Sequence, residues 1–416
     1  MRYGLNTPAL SSRYRWVILL LLFVTVMIAF MGRLSTSVAL GAIGDDLVWS
    51  QADTGFLGGI LMGIFLVSYG FSNIVLSPNI DRYGSKIMLF GSMVGCSMAV
   101  FLGGYYGHIY SLFLASRLLL GVAQGILFPL AAKVIAGWYP VEDRGRANAI
   151  FMIGAPVGVA LAPILMGPII HAFSWNISFY VVAAMGFVLA VPIFLFIEDT
   201  PMDREGGSVS RNRDIDIKEA FKRLMADPEF RLIVVGFTTV NTVYWGTTLW
   251  LPTYLEQTTG ISLGDTPYMA AIPYLGCILG LVTGSWASHK TGKPSNVIMF
   301  SLLTTSIMVV ILAFSPVSGV WMAVLLLTLV FFFGQLSPPL FFTKLQNTID
   351  TKELGSATGL MNGIANTVGV MGPVSVGVVV ALSGSYEIGI LAISVIALIG
   401  LLGYRKMWAI CNEQSC

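Results

Sequence analysis

Two arginines, Arg33 and Arg117, stand inside otherwise apolar stretches, and no other residues of this sequence are better suited to chemistry. A guanidinium stays charged at physiological pH and presents a planar fork of donors that matches a carboxylate. Placing one in hydrocarbon costs at least about 2.5 kcal/mol, so an intramembrane cation normally faces a cavity or partner and marks a solute path. Arg33 is therefore expected to anchor an anion. Gln124 lies seven residues after Arg117 on the same helical face, making that column either a gating and coupling element or a hydrogen-bonded strut. Tyr69 offers a phenol to a substrate oxygen, and Asn362 and Asn366, one turn apart, put two amides on one face. Trp245 and Tyr274 are further cavity candidates, with Asn241, Tyr244 and Gln335 behind them; packing or interhelical hydrogen bonding is the alternative for each. Catalytic chemistry has less to work with. His108, His171 and His289 sit near the ends of apolar stretches, the four cysteines (Cys96, Cys277, Cys411, Cys416) have neither disulfide nor metal spacing, and no nucleophile–base pair is evident. Neither an enzyme nor a cofactor is expected.

The elements that must hold these residues are membrane helices. Of 416 residues, 56% are hydrophobic and 11% charged, with mean hydropathy +0.81, whereas a soluble domain carries about a quarter charged residues. The 23 Lys+Arg nearly cancel 21 Asp+Glu without a basic block, which excludes nucleic acid as a partner. A bilayer core needs about 20 apolar residues per crossing. Twelve stretches qualify, at 16–41, 54–78, 86–107, 109–136, 147–171, 178–197, 232–256, 267–287, 296–316, 319–343, 355–382 and 385–404. The first has no cleavage site and is too long for a signal peptide, so it is expected to remain as a helix. With the N-terminus inside, the cations of the short loops all fall on the cytoplasmic side, which predicts two cytoplasmic termini. Residues 198–231 hold 16 of the 44 charged residues and separate six stretches from six. The expected organisation is an N-terminal bundle (1–197), a linker (198–231) and a C-terminal bundle (232–416). Within the linker, Ile217, Ala220, Phe221 and Leu224 behind Asp214 predict a short amphipathic helix closed by Pro228.

The halves also repeat text. Asp81-Arg82-Tyr83-Gly84-Ser85-Lys86 follows the second stretch and Ser288-His289-Lys290-Thr291-Gly292-Lys293 the eighth. Six plus six helices with an internal repeat is how many secondary transporters are built, with substrate held near the midplane between halves. The text DRYGSK resembles the cytoplasmic loop signature of the major facilitator superfamily, with Ser77 where its first glycine usually stands and Ser288 where the second copy usually has an acid. The resemblance implies an all-α integral membrane fold, twelve helices in two pseudo-symmetric six-helix bundles, and a gating or coupling role for Asp81, Arg82 and Gly84. The run from Gly355 through Gly359, Asn362, Gly363 and Asn366 to Gly372, Pro373 and Gly377 is similar to the eleventh helix of its anion:cation symporter family. Trp250-Leu-Pro252-Thr-Tyr254 resembles the end of that family's seventh helix, and Trp138-Tyr-Pro140 followed by Glu142-Asp-Arg144 its loop after the fourth.

The resemblance implies a carrier of sugar acids or related carboxylates and places Tyr69 at a substrate-facing tyrosine of the family's second helix; with the residues read above, the expected substrate set is Arg33, Tyr69, Asn362, Asn366, Gln124, Tyr274 and Trp245, with Arg117 in gating or coupling. The family carries an Asp-Arg pair in its first helix and an Arg with a Glu seven residues later in its fourth. Here those positions read Gly32-Arg33 and Arg117 with Gln124, so both arginines match, both acids are missing, and proton coupling by those carboxyls is not expected. The expected partners are a small organic anion, the lipid bilayer and a possible co- or counter-transported ion, for a monomer in the cytoplasmic (inner) membrane. A drug or siderophore efflux carrier, suggested by Gly154-Ala-Pro156-Val-Gly158, and a non-transporting sensor on the same scaffold are the alternatives.

Overall fold

The computed structural model describes residues 8–76, 84–139, 141–198, 217–262, 267–315, 319–348 and 354–414; Asp81 and Arg82 lie outside them. The first half contains α1 (Pro8–Asp46), α2 (Gln51–Leu76), α3 (Ser85–Tyr106), α4 (Tyr110–Gly125), α5 (Leu127–Trp138), α6 (Val141–Ala172) and α7 (Trp175–Phe196). After α8 (Ile217–Ala226), the second half contains α9 (Pro228–Thr259), α10 (Tyr268–Ala271), α11 (Pro273–Thr291), α12 (Pro294–Phe314) and α13 (Val320–Gly334). It is completed by α14 (Pro338–Thr348), α15 (Leu354–Gly369), α16 (Met371–Ser383) and α17 (Tyr386–Gln414). Together they form 12 apolar spans of 21 to 33 residues, each long enough to cross a bilayer core.

Four spans are interrupted where the sequence suggested continuous helices, and proline accounts for each break. A proline removes its own N–H and crowds the carbonyl four residues earlier. Pro129 acts on Gly125, where α4 stops; Pro338 acts on Gly334, where α13 stops; Pro373 acts on Gly369, where α15 stops; Pro273 acts on Met269, within the short α10. The short helix expected in the linker is α8, which ends at Ala226 just ahead of Pro228, with Asp227 in the extended backbone a residue before proline adopts; Pro228 itself opens α9. Asp227 caps that start, its carboxylate accepting the Glu229 N–H at 2.8 Å, and proline in the first turn forfeits no helical hydrogen bond.

The pairing of helices repeats between halves. α1 packs on α6 as α9 packs on α15 and α16, α2 packs on α4 as α11 packs on α13, and α3 packs on α7 as α12 packs on α17. Outward-facing Val188, Leu195, Val282 and Leu402 are exposed, as a lipid-facing surface requires. Between the halves α2 runs along α15 and α16, α6 meets α10 and α11, and α1 meets α9.

Lipid tails are as apolar as the helices they surround, so close van der Waals approach must hold this seam. Small residues permit it. A Cβ added at Gly377 would lie 2.2 Å from the Gly55 carbonyl oxygen, and one at Gly70 would lie 2.6 Å from that of Gly363. Hydrogen bonds also tie the halves: within the α1 span the Ser37 hydroxyl donates to the Leu249 carbonyl, and at the start of α2 the Gln51 amide donates to the Gly384 carbonyl at 2.6 Å. Gly377→Ala should therefore push α2 from α16, at an overpacking cost of about 1–3 kcal/mol. The expected result is a lower thermal midpoint in detergent; an unchanged midpoint would mean that the seam is looser than this packing.

Gly84 caps the start of α3 at φ 81° and ψ 152°, backbone space that side-chain-bearing residues rarely enter. This explains the glycine in the DRYGSK text on local grounds.

Candidate binding site

α1 carries Arg33 into the middle of its span, and α4 lays Arg117 and Gln124 against it. All three are buried, at 2%, 2% and 0% exposure. Arg117 is turned to the backbone of α1: Nη2 donates to the Arg33 carbonyl at 2.8 Å, and Nη1 to the Gly32 carbonyl at 3.3 Å and the Ser35 hydroxyl at 3.4 Å. Arg33 donates through Nε to Gln124 Oε1 at 2.7 Å. The column predicted on α4 thus makes two different contacts with one stretch of α1, fixing its backbone with Arg117 and its side chain with Gln124.

Four rings surround the Arg33 guanidinium. Its central carbon lies 4.3 Å from the centroid of Phe30, 4.5 Å from Tyr69, 4.6 Å from Trp245 and 4.9 Å from Phe65. Phe65 also faces Arg117, at 5.7 Å. A desolvated cation–π contact contributes up to about 2 kcal/mol, so the rings offset much of what burial of the charge costs. They leave its hydrogen-bonding capacity incomplete. Arg33 Nη2 and Gln124 Nε2, donors on two side chains already joined at 2.7 Å, are both buried without a partner. An unsatisfied buried donor is costly, the more so on a charged group, and an anionic oxygen would satisfy both.

Position 32 offers no room for the missing acid. A Cβ there would meet Val100 Cγ2 at 2.9 Å and Val182 Cγ1 at 3.9 Å, so it faces valines within the first bundle. The carboxylates of the described spans stand near helix ends, among them Asp45, Asp53, Glu229, Glu256 and Glu387. Among the described residues no group of three His, Cys, Asp or Glu side chains could hold a metal ion.

The remaining candidates lie on the second half. Asn366, 4% exposed, donates from Nδ2 to Asn362 at its carbonyl (2.8 Å) and its Oδ1 (3.0 Å), so these two amides engage each other. The Asn241 amide donates to the Ala365 carbonyl at 2.9 Å. Tyr274 stacks on Phe331 at 5.2 Å and donates to the Thr248 carbonyl at 3.4 Å. Tyr244 and Gln335 line a cavity of about 20 Å³ with Thr247 and Thr305, enough for one water. Of the residues singled out, the structure brings Arg33, Tyr69, Gln124, Trp245 and Arg117 together. Phe30 and Phe65 were missed, although helical spacing marks both: Phe30 precedes Arg33 by three residues and Phe65 precedes Tyr69 by four.

Because three donor contacts of Arg117 end on α1, Arg117→Leu should lower the thermal midpoint by the equivalent of about 1–3 kcal/mol. Differential scanning fluorimetry of the purified variant checks this; a midpoint equal to wild type would remove the strut.

Two six-helix halves with matching helix pairings are the architecture of many secondary membrane transporters. The chain matches the Major Facilitator Superfamily over residues 22–373 and 255–408 and belongs to that superfamily. It is 27% identical over 391 residues to the hexuronate transporter of Bacillus subtilis (strain 168), covering 90% of each chain. It is 25% identical over 430 residues to the "Probable galactarate/D-glucarate transporter" of Escherichia coli (strain K12), covering 95% of this chain and 93% of that one. Its fold matches that of a bacterial homologue of the human lysosomal transporter Spinster, inward-facing and unoccupied, with TM-score 0.77, 18% identity and coverage of 95% and 97%.

Proposed function

We propose that this protein carries a small organic anion of the sugar-acid class across the cytoplasmic membrane by alternating access of the two bundles, with Arg33 as the carboxylate anchor. The observation that carries the proposal is the buried Arg33 guanidinium at the junction of the halves, hydrogen-bonded to neutral Gln124 and lacking a partner at Nη2. The names of the relatives, a hexuronate and a galactarate/D-glucarate transporter, support the sugar-acid class. Tyr69, Gln124 and Trp245 flank the carboxylate. Asn362 and Asn366 trade their mutual bond for substrate hydroxyls, and Tyr274 backs the second-half wall. Arg117 holds α1 in register, and the loop of Asp81, Arg82 and Gly84 takes part in gating. Both termini are cytoplasmic, by the distribution of cations, and the working unit is a monomer.

Coupling is atypical in this reading. With Gly32 and Gln124 at the positions where the family that the sequence resembles would have acids, transport is uniport or anion exchange and is not driven by protons on carboxyls there. Uptake of labelled hexuronates, hexonates and short di- and tricarboxylates into proteoliposomes, with and without an imposed inward proton gradient, tests both parts. Equilibration of a sugar acid independent of the gradient is expected. Gradient-driven accumulation would overturn the coupling, and transport of lipophilic cations in place of anions would overturn the substrate class, because an unpaired buried cation repels them.

A further inference from the structure

The four rings around Arg33 do not belong to one body. Phe30 lies on α1 and Phe65 and Tyr69 on α2, so they travel with Arg33 in the first bundle; Trp245 lies on α9, in the second. Trp245 is 4% exposed and rests against the same cage, with ring centroids 6.2 Å from Phe30 and 6.2 Å from Phe65, the latter edge-on at 88°. In this closed arrangement Arg33 Nη2 is shut off from solvent. When the bundles rock apart, the first-half rings stay with the guanidinium and Trp245 is the cage member that leaves.

We infer that Trp245 is a gate which closes on the anchor of the empty carrier, standing in for the missing counter-ion, and so lets the unloaded protein reorient. This rests on the reading of Arg33 as anchor. Among the described residues no carboxylate stands at Arg33: its side-chain partners are the Gln124 amide and the Tyr69 phenol, both neutral, and the second bundle supplies an aromatic face. Loaded, the guanidinium crosses against a carboxylate. Empty, it crosses against the indole. The consequence is net transport without obligatory exchange, and Trp245 is the residue that decides between the two modes.

The test compares two fluxes of labelled glucuronate in proteoliposomes: net uptake into empty vesicles, which needs the empty carrier to return, and counterflow into glucuronate-loaded vesicles, which does not. In Trp245→Ala the ratio of net uptake to counterflow should fall at least tenfold relative to wild type, and in Trp245→Phe, which keeps a ring on Arg33, it should recover to within a few fold. Because Trp245 also flanks the substrate, both fluxes are expected to drop in Trp245→Ala, and the ratio carries the test: an unchanged ratio overturns the gate and leaves the anchor standing. If wild type shows neither flux, or Arg33→Lys shows both at wild-type rates, the anchor itself fails and the gate with it.

Discussion

Arg33→Lys lowers uptake at limiting substrate by at least tenfold, and Arg33→Ala by about a hundredfold, while neither variant loses thermal stability. The activity loss is that of a charge-assisted hydrogen bond, about 1.5–3 kcal/mol, and lysine recovers only part of it because an ammonium cannot present the planar fork or stack between rings. The stability half of the result follows from Arg33 Nη2. The unpartnered charged donor of Arg33 burdens the unliganded fold, and removing it offsets the loss of the Gln124 bond and the ring contacts. Arg117 also buries an unpartnered Nε, but its Nη1 and Nη2 donate three times to α1, so its loss costs the fold more. Initial-rate uptake and thermal midpoints on the same preparations separate the two arginines, and wild-type uptake in Arg33→Lys would end its assignment as anchor.

Gln124→Glu converts the protein into one whose transport depends strongly on pH. The new carboxylate would stand where the amide oxygen now accepts from Arg33 at 2.7 Å, forming an ion pair in place of a neutral hydrogen bond. Ionised, it competes with substrate for the guanidinium, and uptake near pH 8 should fall tenfold or more, from about 1.5–3 kcal/mol of charged hydrogen bonding. Protonated, it releases Arg33. Uptake by the variant therefore rises as pH falls, and an inward proton gradient should stimulate the variant and not wild type. A pH profile superimposable on wild type would show that the substrate does not use this guanidinium. The companion change Gly32→Asp is a poorer route to coupling, since its side chain would enter the valine-lined space at Val100 and Val182.

The spans were open to sequence reasoning because a run of about twenty apolar residues suits little besides a bilayer crossing. The two arginines were legible because a cation inside such a run is costly to keep there. The breaks at Gly125, Gly334 and Gly369 were recoverable from the prolines four residues on, but hydropathy averages across them. The pairing of Arg33 with Gln124 spans 91 positions, and no local period encodes it. The partners of Arg117 were less accessible still, since two of its three contacts are backbone carbonyls, which every residue possesses. The cage assembled from ordinary core aromatics whose spacing alone suits lipid contact equally well. Asn362 and Asn366 did share a face as expected, though that also let them bond one another.

The order of the chain has a consequence for biogenesis. Arg33 enters the bilayer with α1, before Gln124 and Trp245 exist. The most apolar 18-residue stretch of its span has mean hydropathy 2.6, above the 1.2 to 2.5 of the others, and a few tenths of a kcal/mol from each apolar residue outweigh one guanidinium. Phe30 is already beside the charge, α2 next delivers Phe65 and Tyr69, α4 then adds the hydrogen bond, and α9 closes the last face. The charge is thus shielded progressively during insertion, and weakening α1, by contrast with any later span, would strand an arginine in the translocon before the residues that accommodate it have been made.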